Sequence, residues 1–369
     1  VTDTEAAVPA PRANPDLVGH EQAERVLCDG FDSGRLAHAW LIAGPPGIGK
    51  ATLAFRFARF VLAGDKAESG GLFGDALPAD DGGILDVDPD DPVFRRVASG
   101  GHSDLLTIDR SVDPKRNRLR SEIIVDDVRR IGHFFAHAPA EGGWRVVVID
   151  VAEEMNRHAA NAVLKVLEEP PSKALLLLVS HAPGRLLPTI RSRCRLLTLS
   201  RLETDVVETL IARYRPDIAG GDRSRLARLA DGSIGRAITL ADHGGLALHG
   251  ELMALLADVP RTDIEALHRF ADRFGRAGGE NAFSVVEDLL RRWLQRLIRC
   301  CAGAPPADGT IEDDEAALIA RLAPAAGLDR WLEVWEKTSG LLGRVDSANL
   351  DRKQVFLNVF LGLERAVRS

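Results

Sequence analysis

Residues 44–51 read Gly44-Pro45-Pro46-Gly47-Ile48-Gly49-Lys50-Ala51, the residue types and spacing of a loop that wraps phosphate. In the pattern G-x-x-x-x-G-K-[ST], glycines let backbone N–H groups close around phosphate oxygens. The lysine reaches the terminal phosphates and the hydroxyl holds magnesium. Gly44, Gly47, Gly49 and Lys50 are all present, but alanine stands at the hydroxyl position. Thr52 follows, yet on a helix the next residue is rotated by about 100° and faces elsewhere. Further along, Val146-Val147-Val148-Ile149 is an apolar run ending in Asp150, as expected of a buried parallel strand that delivers a carboxylate at its carboxyl end. In nucleotide-hydrolysing proteins of this architecture such an Asp holds magnesium, and the next residue is usually a Glu that activates water. Here it is Val151, which has no proton acceptor, and losing a general base typically costs about 10²–10⁴ in rate. The two positions together predict a site that cradles phosphate but places magnesium and water badly.

Elements that could position these residues follow from periodicity. Residues 38–43 read as a strand running into the glycine loop, and 52–63 carry Leu53, Phe57, Phe60 and Val61 at helical spacing, giving the order strand, loop, helix that a phosphate loop requires. Residues 105–108 read as a strand, 125–136 as a helix and 146–150 as a strand. A helix over 156–169 is stopped by Pro170-Pro171, because proline blocks helix continuation. Strands over 174–180 and 196–199 complete a doubly wound α/β domain with right-handed crossovers. Beyond Ser200 only helices are expected: three short ones over 203–243, separated by Pro216, Gly220-Gly221 and Gly232, then a longer helical region. There Trp331, Val334, Trp335, Thr338, Leu341, Leu342 and Val345 form one apolar stripe. Arg292, Arg296 and Arg299 share a helix face and read as a solvated face.

The chain has 369 residues, 45% hydrophobic and 27% charged, the composition of a globular protein with two or three domains. No apolar run reaches the roughly 18 residues that span a bilayer, and residues 1–14 read as a flexible leader of a cytoplasmic protein. The formal charge of −7 belongs to one segment: residues 65–91 hold Asp65, Glu68, Asp75, Asp80, Asp81, Asp86, Asp88, Asp90 and Asp91 against Lys66 alone. This Gly/Asp/Pro-rich stretch reads as a mobile surface insertion. Cys28, Cys194, Cys300 and Cys301 have no zinc-ligand spacing and read as reduced, buried thiols. Lys115, Arg116, Arg118 and Arg120 form a basic cluster suited to phosphates or an acidic partner, but no base-reading module is visible.

Several ordered stretches resemble the clamp-loader branch of the AAA+ ATPases. Leu17-Val18-Gly19-His20-Glu21 resembles that family's nucleotide-base box. The stretch from His158 to Pro171, ending Leu167-Glu168-Glu169-Pro170-Pro171, resembles the signature of bacterial clamp-loader subunits. Ser180 stands at the sensor-1 position, Ser192-Arg193-Cys194 matches the SRC motif, and Gly232-Ser233-Ile234-Gly235-Arg236-Ala237 matches the sensor-2 segment. The resemblance implies an AAA+ P-loop domain over 1–200, a helical lid over 201–245 and an all-α collar over 246–369 that joins subunits in a ring. It implies Arg193 as an arginine finger acting in trans, and Gly44, Gly47, Gly49, Lys50, Thr52, Asp150, Ser180 and Arg236 as a degenerate ATP or ADP site. Within the family, gamma/tau subunits hydrolyse ATP, whereas the delta-prime type keeps the fold and the SRC motif and has lost parts of its own site. Ala51, Val151 and the stretch Leu186–Cys194 resemble the latter.

The implied partners are gamma/tau and delta subunits in a hetero-pentameric ring of the DNA polymerase III assembly, with the sliding clamp and primer-template DNA reached through it and no membrane. Many bacterial relatives carry a four-cysteine zinc module between the phosphate loop and the acidic strand. This chain has no cysteine there, so no zinc is expected. The competing readings are an active gamma/tau-type ATPase using Thr52 and an acid such as Glu153, an unrelated P-loop protein such as a DNA helicase motor and, for Arg193, a surface or core-capping arginine sharing one face of an extended segment with Arg191 and Arg195.

Overall fold

A computed structural model of the chain describes residues 8–67, 84–115, 117–141, 143–276, 278–304, 311–345 and 348–368. Most of the acidic segment and Arg116 lie outside the described residues. The chain divides into two compact units, Val1–Val206 and Val207–Ser369.

In the first unit α1 (Glu21–Asp32) precedes β1 (Ala39–Ala43), α2 (Lys50–Ala67), α3 (Pro92–Ser99) and β2 (Leu105–Ile108). A small antiparallel hairpin of β3 (Val112–Asp113) and β4 (Arg118–Leu119) comes next, then α4 (Val125–Ala136), β5 (Arg145–Ile149), α5 (Arg157–Glu168), β6 (Ala174–Ser180), α6 (Pro188–Arg191) and β7 (Arg195–Thr198). The main sheet has the order β2-β5-β6-β1-β7 and every pairing in it is parallel. Its three central strands are buried along their whole length and apolar except for Arg145 and Ser180 at their ends, because both faces are covered. Alternate residues supply two cores. Trp40, Ile42, Val146, Val148, Leu175 and Leu177 point to the α1–α3 side with Leu53, Phe57 and Val61. Leu41, Val147, Ile149, Leu176 and Leu178 point to the α4–α5 side with Val128, Ile131, Val163 and Ile190, as the two-residue period of a strand requires.

Register brings the chemistry to one edge. Ala43 pairs with Ser180, and Ile149 pairs with Leu178 two residues before it. The phosphate loop, Asp150 and Ser180 therefore all leave the sheet at its carboxyl edge, where open α/β sheets bind ligands.

Three expectations are corrected in this unit. Residues 12–14 are docked rather than loose: the Arg59 guanidinium donates to the carbonyls of Arg12 (2.8 Å) and Asn14 (2.7 Å). The end of the acidic segment is anchored, with Leu85 in the core, Asp86 paired to Arg56 and Asp91 capping α3 through the Val93 N–H. Arg191, Arg193 and Arg195 do not share an extended face, because Arg191 ends α6 while Arg195 opens β7 over the Trp40 ring.

The second unit is helical. After α7 (Thr204–Tyr214), which starts before the boundary, come α8 (Gly220–Ala230), α9 (Ile234–Asp242), α10 (Gly245–Ala257), α11 (Ile264–Ala271), α12 (Gly279–Cys301), α13 (Asp313–Leu322), α14 (Leu328–Leu342) and α15 (Arg352–Arg368). The stripe on α14 buries Trp331, Val334, Thr338 and Leu342. Gly220-Gly221 opens α8 rather than separating helices. Arg292 and Arg296 are not a solvated pair: Arg292 bonds Asp231 (2.8 Å) and Arg296 bonds Glu315 (2.7 Å), tying α12 to the end of α8 and to α13. No helix among the described residues is long and apolar enough to cross a membrane.

Candidate functional site

The phosphate loop is shaped by glycine where the backbone leaves ordinary space. Gly44 has φ +150°, and a Cβ there would lie 2.5 Å from the Leu199 carbonyl oxygen; Gly49 has φ +104° and a Cβ would meet Leu17 Cδ1 at 2.8 Å. Larger residues at either position would collide with neighbours and strain the backbone. The base-box stretch closes over the loop, with buried His20 donating through Nε2 to the Ile48 carbonyl at 2.7 Å. Burial pushes this imidazole below its usual range.

Lys50 does not point freely into the cradle. Its ammonium donates to the Gly44 carbonyl at 2.7 Å and to that of Pro45, so the loop's own oxygens hold the charge that would meet a phosphate. Burial pushes the Lys50 pKa down to about 8, against the opposing pull of Glu153 and Asp150. Ala51 presents a methyl group and Thr52 is buried in the first turn of α2. Asp150 lies at the end of β5, and burial raises its carboxyl pKa, with Asp109 adding to the effect. Val151 adopts φ 57°, ψ 66°, a left-handed conformation that a β-branched residue takes only when its surroundings impose it.

Glu153 is bound to the sensor-1 turn. Its Oε1 accepts the N–H groups of His181 (2.7 Å) and Ala182 (2.9 Å), immediately after buried Ser180. Burial alone would raise its pKa, but hydrogen bonds from its own backbone, the Ser180 hydroxyl and His181 outweigh that and leave the carboxyl below its ordinary range. Such a carboxylate is a weak base. The spacing in sequence gives no sign of this clamp, which joins residues 28 positions apart.

The SRC triplet has a distinct job for each residue. Ser192 closes α6 by donating from Oγ to the Thr189 carbonyl (3.2 Å), and Cys194 packs against the α4–α5 core, where burial pushes its thiol up to about 12. Arg193, between them, keeps a third of its side chain exposed, donates through Nη1 to the Thr189 carbonyl (3.0 Å) and pairs through Nη2 with Glu168 (2.7 Å). It lies just before β7, whose Arg195 is opposite Trp40 at the start of β1. That is the amino edge of the sheet. The phosphate loop leaves the other end of β1, roughly 13 Å or more along the strand at about 3.3 Å per residue.

Arg236 belongs to the second unit. Ser233 caps α9 by accepting the Arg236 N–H, and the Arg236 guanidinium ion-pairs with Asp288 on α12 at 2.5 Å with 9% of its side chain exposed. Arg292 completes this cluster through Asp231 and Asp288. The basic cluster falls on the β3–β4 hairpin, where Lys115 and Arg118 are exposed and Arg120 pairs with Asp113. All four cysteines are free and half-buried rather than fully buried. No group of three or more metal-binding side chains is gathered among the described residues.

Known proteins are similar in sequence to this chain. A DNA polymerase III tau subunit of Salmonella typhimurium is 29% identical over 291 residues, covering 77% of this chain and 41% of its own length. The delta' subunit of Pseudomonas aeruginosa is 39% identical over 158 residues, 43% of this chain and 42% of its own. The chain thus spans about two fifths of the length of these relatives. A solved gamma subunit-related protein of Thermotoga maritima aligns over 94% of this chain and 99% of its own at 19% identity and a TM-score of 0.38. The pattern of the family described as "DNA polymerase III, delta subunit" matches residues 19–203, a stretch that holds the phosphate loop, Asp150, Ser180 and Arg193. The chain belongs to this family of clamp-loader AAA+ proteins.

Proposed function

We propose that this chain is a delta-prime-type subunit of a replicative clamp loader that hydrolyses no ATP itself and supplies Arg193 to the nucleotide of an adjacent ATPase subunit. The observation that supports this most is the position of Arg193 at the amino edge of the sheet, away from its own chain's cradle at the carboxyl edge. An arginine so placed serves a second chain's phosphate or none. A guanidinium is permanently charged and its fork matches phosphate oxygens. In other phosphoryl-transfer systems such a finger contributes about 10³–10⁵ in rate.

The chain's own cradle fits a phosphate, through Lys50 and the N–H groups at the start of α2, in the manner of helix N-termini. It fits hydrolysis poorly, because positions 51 and 151 bear only hydrocarbon and Glu153 is committed to the sensor-1 turn. On this reading ATP or ADP binds weakly without turnover, no cofactor is required, no zinc is held, and the protein works in the cytoplasm. Its partners are gamma/tau and delta subunits in a five-membered ring, with the sliding clamp and primed DNA reached through that ring.

The test is reconstitution with cognate ATPase and clamp-opening subunits, with clamp- and DNA-stimulated ATP turnover measured for wild type and Arg193→Ala. Reduced turnover with an intact ring is expected, and unchanged turnover would sink the proposal. The rival, an active gamma/tau-type ATPase, draws support from the tau match over 77% of the chain. Turnover by the pure chain, abolished by Lys50→Ala, would establish that rival instead.

A further inference from the structure

We propose that Glu168 is a positioning residue for Arg193: it holds the guanidinium in the orientation from which it meets a neighbour's phosphate. The inference rests on the reading of Arg193 as a finger acting in trans.

Glu168 is the last residue of α5, where the partial negative charge of the helix end disfavours an acid. Helix stability alone would place a neutral or basic side chain there. What accepts the charge is Arg193, 2.7 Å away. The same guanidinium is fixed on a second side by the Thr189 carbonyl at 3.0 Å, and that carbonyl also receives the Ser192 hydroxyl. Two acceptors on two different Nη atoms define the plane of the fork. Without Glu168 the side chain would keep one tether and regain much of its rotamer freedom.

The holder is also weak enough to yield. Its carboxylate is about half exposed and the guanidinium about a third exposed, the regime in which an ion pair contributes little net stability. A phosphate arriving at the outward edge of Arg193 therefore competes with a partner of low cost. Arg193 is held ready rather than locked away, and α5 and α6 share the task of aiming it.

The experiment is a double-mutant cycle in the reconstituted loader. Glu168→Ala is expected to lower the kcat of stimulated ATP turnover about two- to fivefold, the scale of one partly exposed ion pair, with the KM for ATP unchanged. Glu168→Gln, which keeps an acceptor, is expected to restore part of the loss. In the Arg193→Ala background Glu168→Ala is expected to change nothing further. Because the acid opposes the helix dipole, Glu168→Ala is also expected to leave the unfolding midpoint unchanged or higher, so lost activity cannot come from lost folding. If Arg193→Ala lowers turnover but Glu168→Ala does not, or lowers it equally with and without Arg193, the positioning role is overturned and the finger stands. If Arg193→Ala itself has no effect, the finger reading is overturned, and with it the role of Glu168.

Discussion

At the scale of single residues, Lys50 ties the fate of the phosphate loop to pH. Its ammonium is buried against loop carbonyls and its pKa is pushed down to about 8 from 10.5. In the window between those values the unfolded chain binds more protons than the folded one, so the Lys50 contribution to stability rises with pH and its penalty is fully present below about 8. Phosphate binding has the opposite trend. A bound anion raises the lysine pKa, so affinity is flat while the free chain keeps Lys50 protonated and falls by up to about tenfold per pH unit above that. A titration with fluorescent ADP at about pH 7 and about pH 9 is expected to show that weakening, and Lys50→Met to abolish the pH dependence together with most of the binding. An equal affinity at both values would mean that Lys50 never leaves the Gly44 and Pro45 carbonyls. Val151, directly after Asp150, adopts a left-handed backbone conformation.

At the scale of elements, the buried pair Glu24 and Arg56 fastens α1 to α2 at 2.8 Å, with 4% of each side chain exposed. Burial raises the Glu24 pKa while Arg56 opposes it, and half-exposed Asp86 also pairs with this guanidinium. Glu24→Ala is expected to destabilise the fold by about 3–5 kcal/mol, the cost of leaving a buried charge without its main partner. Chemical denaturation should show a lower midpoint at unchanged slope, and Glu24→Ala with Arg56→Met should cost less than the single change. Neither α1 nor this pair was legible in the sequence, where polar residues and Gly30 interrupt the periodicity. The central strands were legible because they are buried on both faces and so read as unbroken apolar runs; residues 105–108, 125–136 and 174–180 have the expected bounds. The β3–β4 hairpin escaped because its strands are two residues long and exposed. The glycine spacing and the SRC triplet could be read from sequence. The inward turn of Lys50, the Glu153 clamp and the aim of Arg193 could not, since the first depends on how the loop folds back on itself and the others on which segments the fold brings together. An acid at the end of α5 was the one local sign that Glu168 had a partner elsewhere.

For the whole molecule, the sheet carries a cradle on one edge and an arginine on the other, and such a polarity is incompatible with a reciprocal two-fold contact through these features. On the proposed function the chain joins its neighbours head to tail, as a heterologous association does. The genetic consequence is asymmetric dominance. A chain with Arg193→Ala keeps every surface needed to take its place and then fails the neighbour, so its overproduction in cells that also make the wild type should inhibit growth. Overproduced Lys50→Ala, defective only in its own vestigial cradle, should be silent in the same plating assay. Equal toxicity of the two would contradict a division of labour between the edges. On the proposed function, the distance that separates Arg193 from its own loop thus becomes a rule of inheritance: damage at the amino edge would spread to a neighbour, and damage at the carboxyl edge would stay at home.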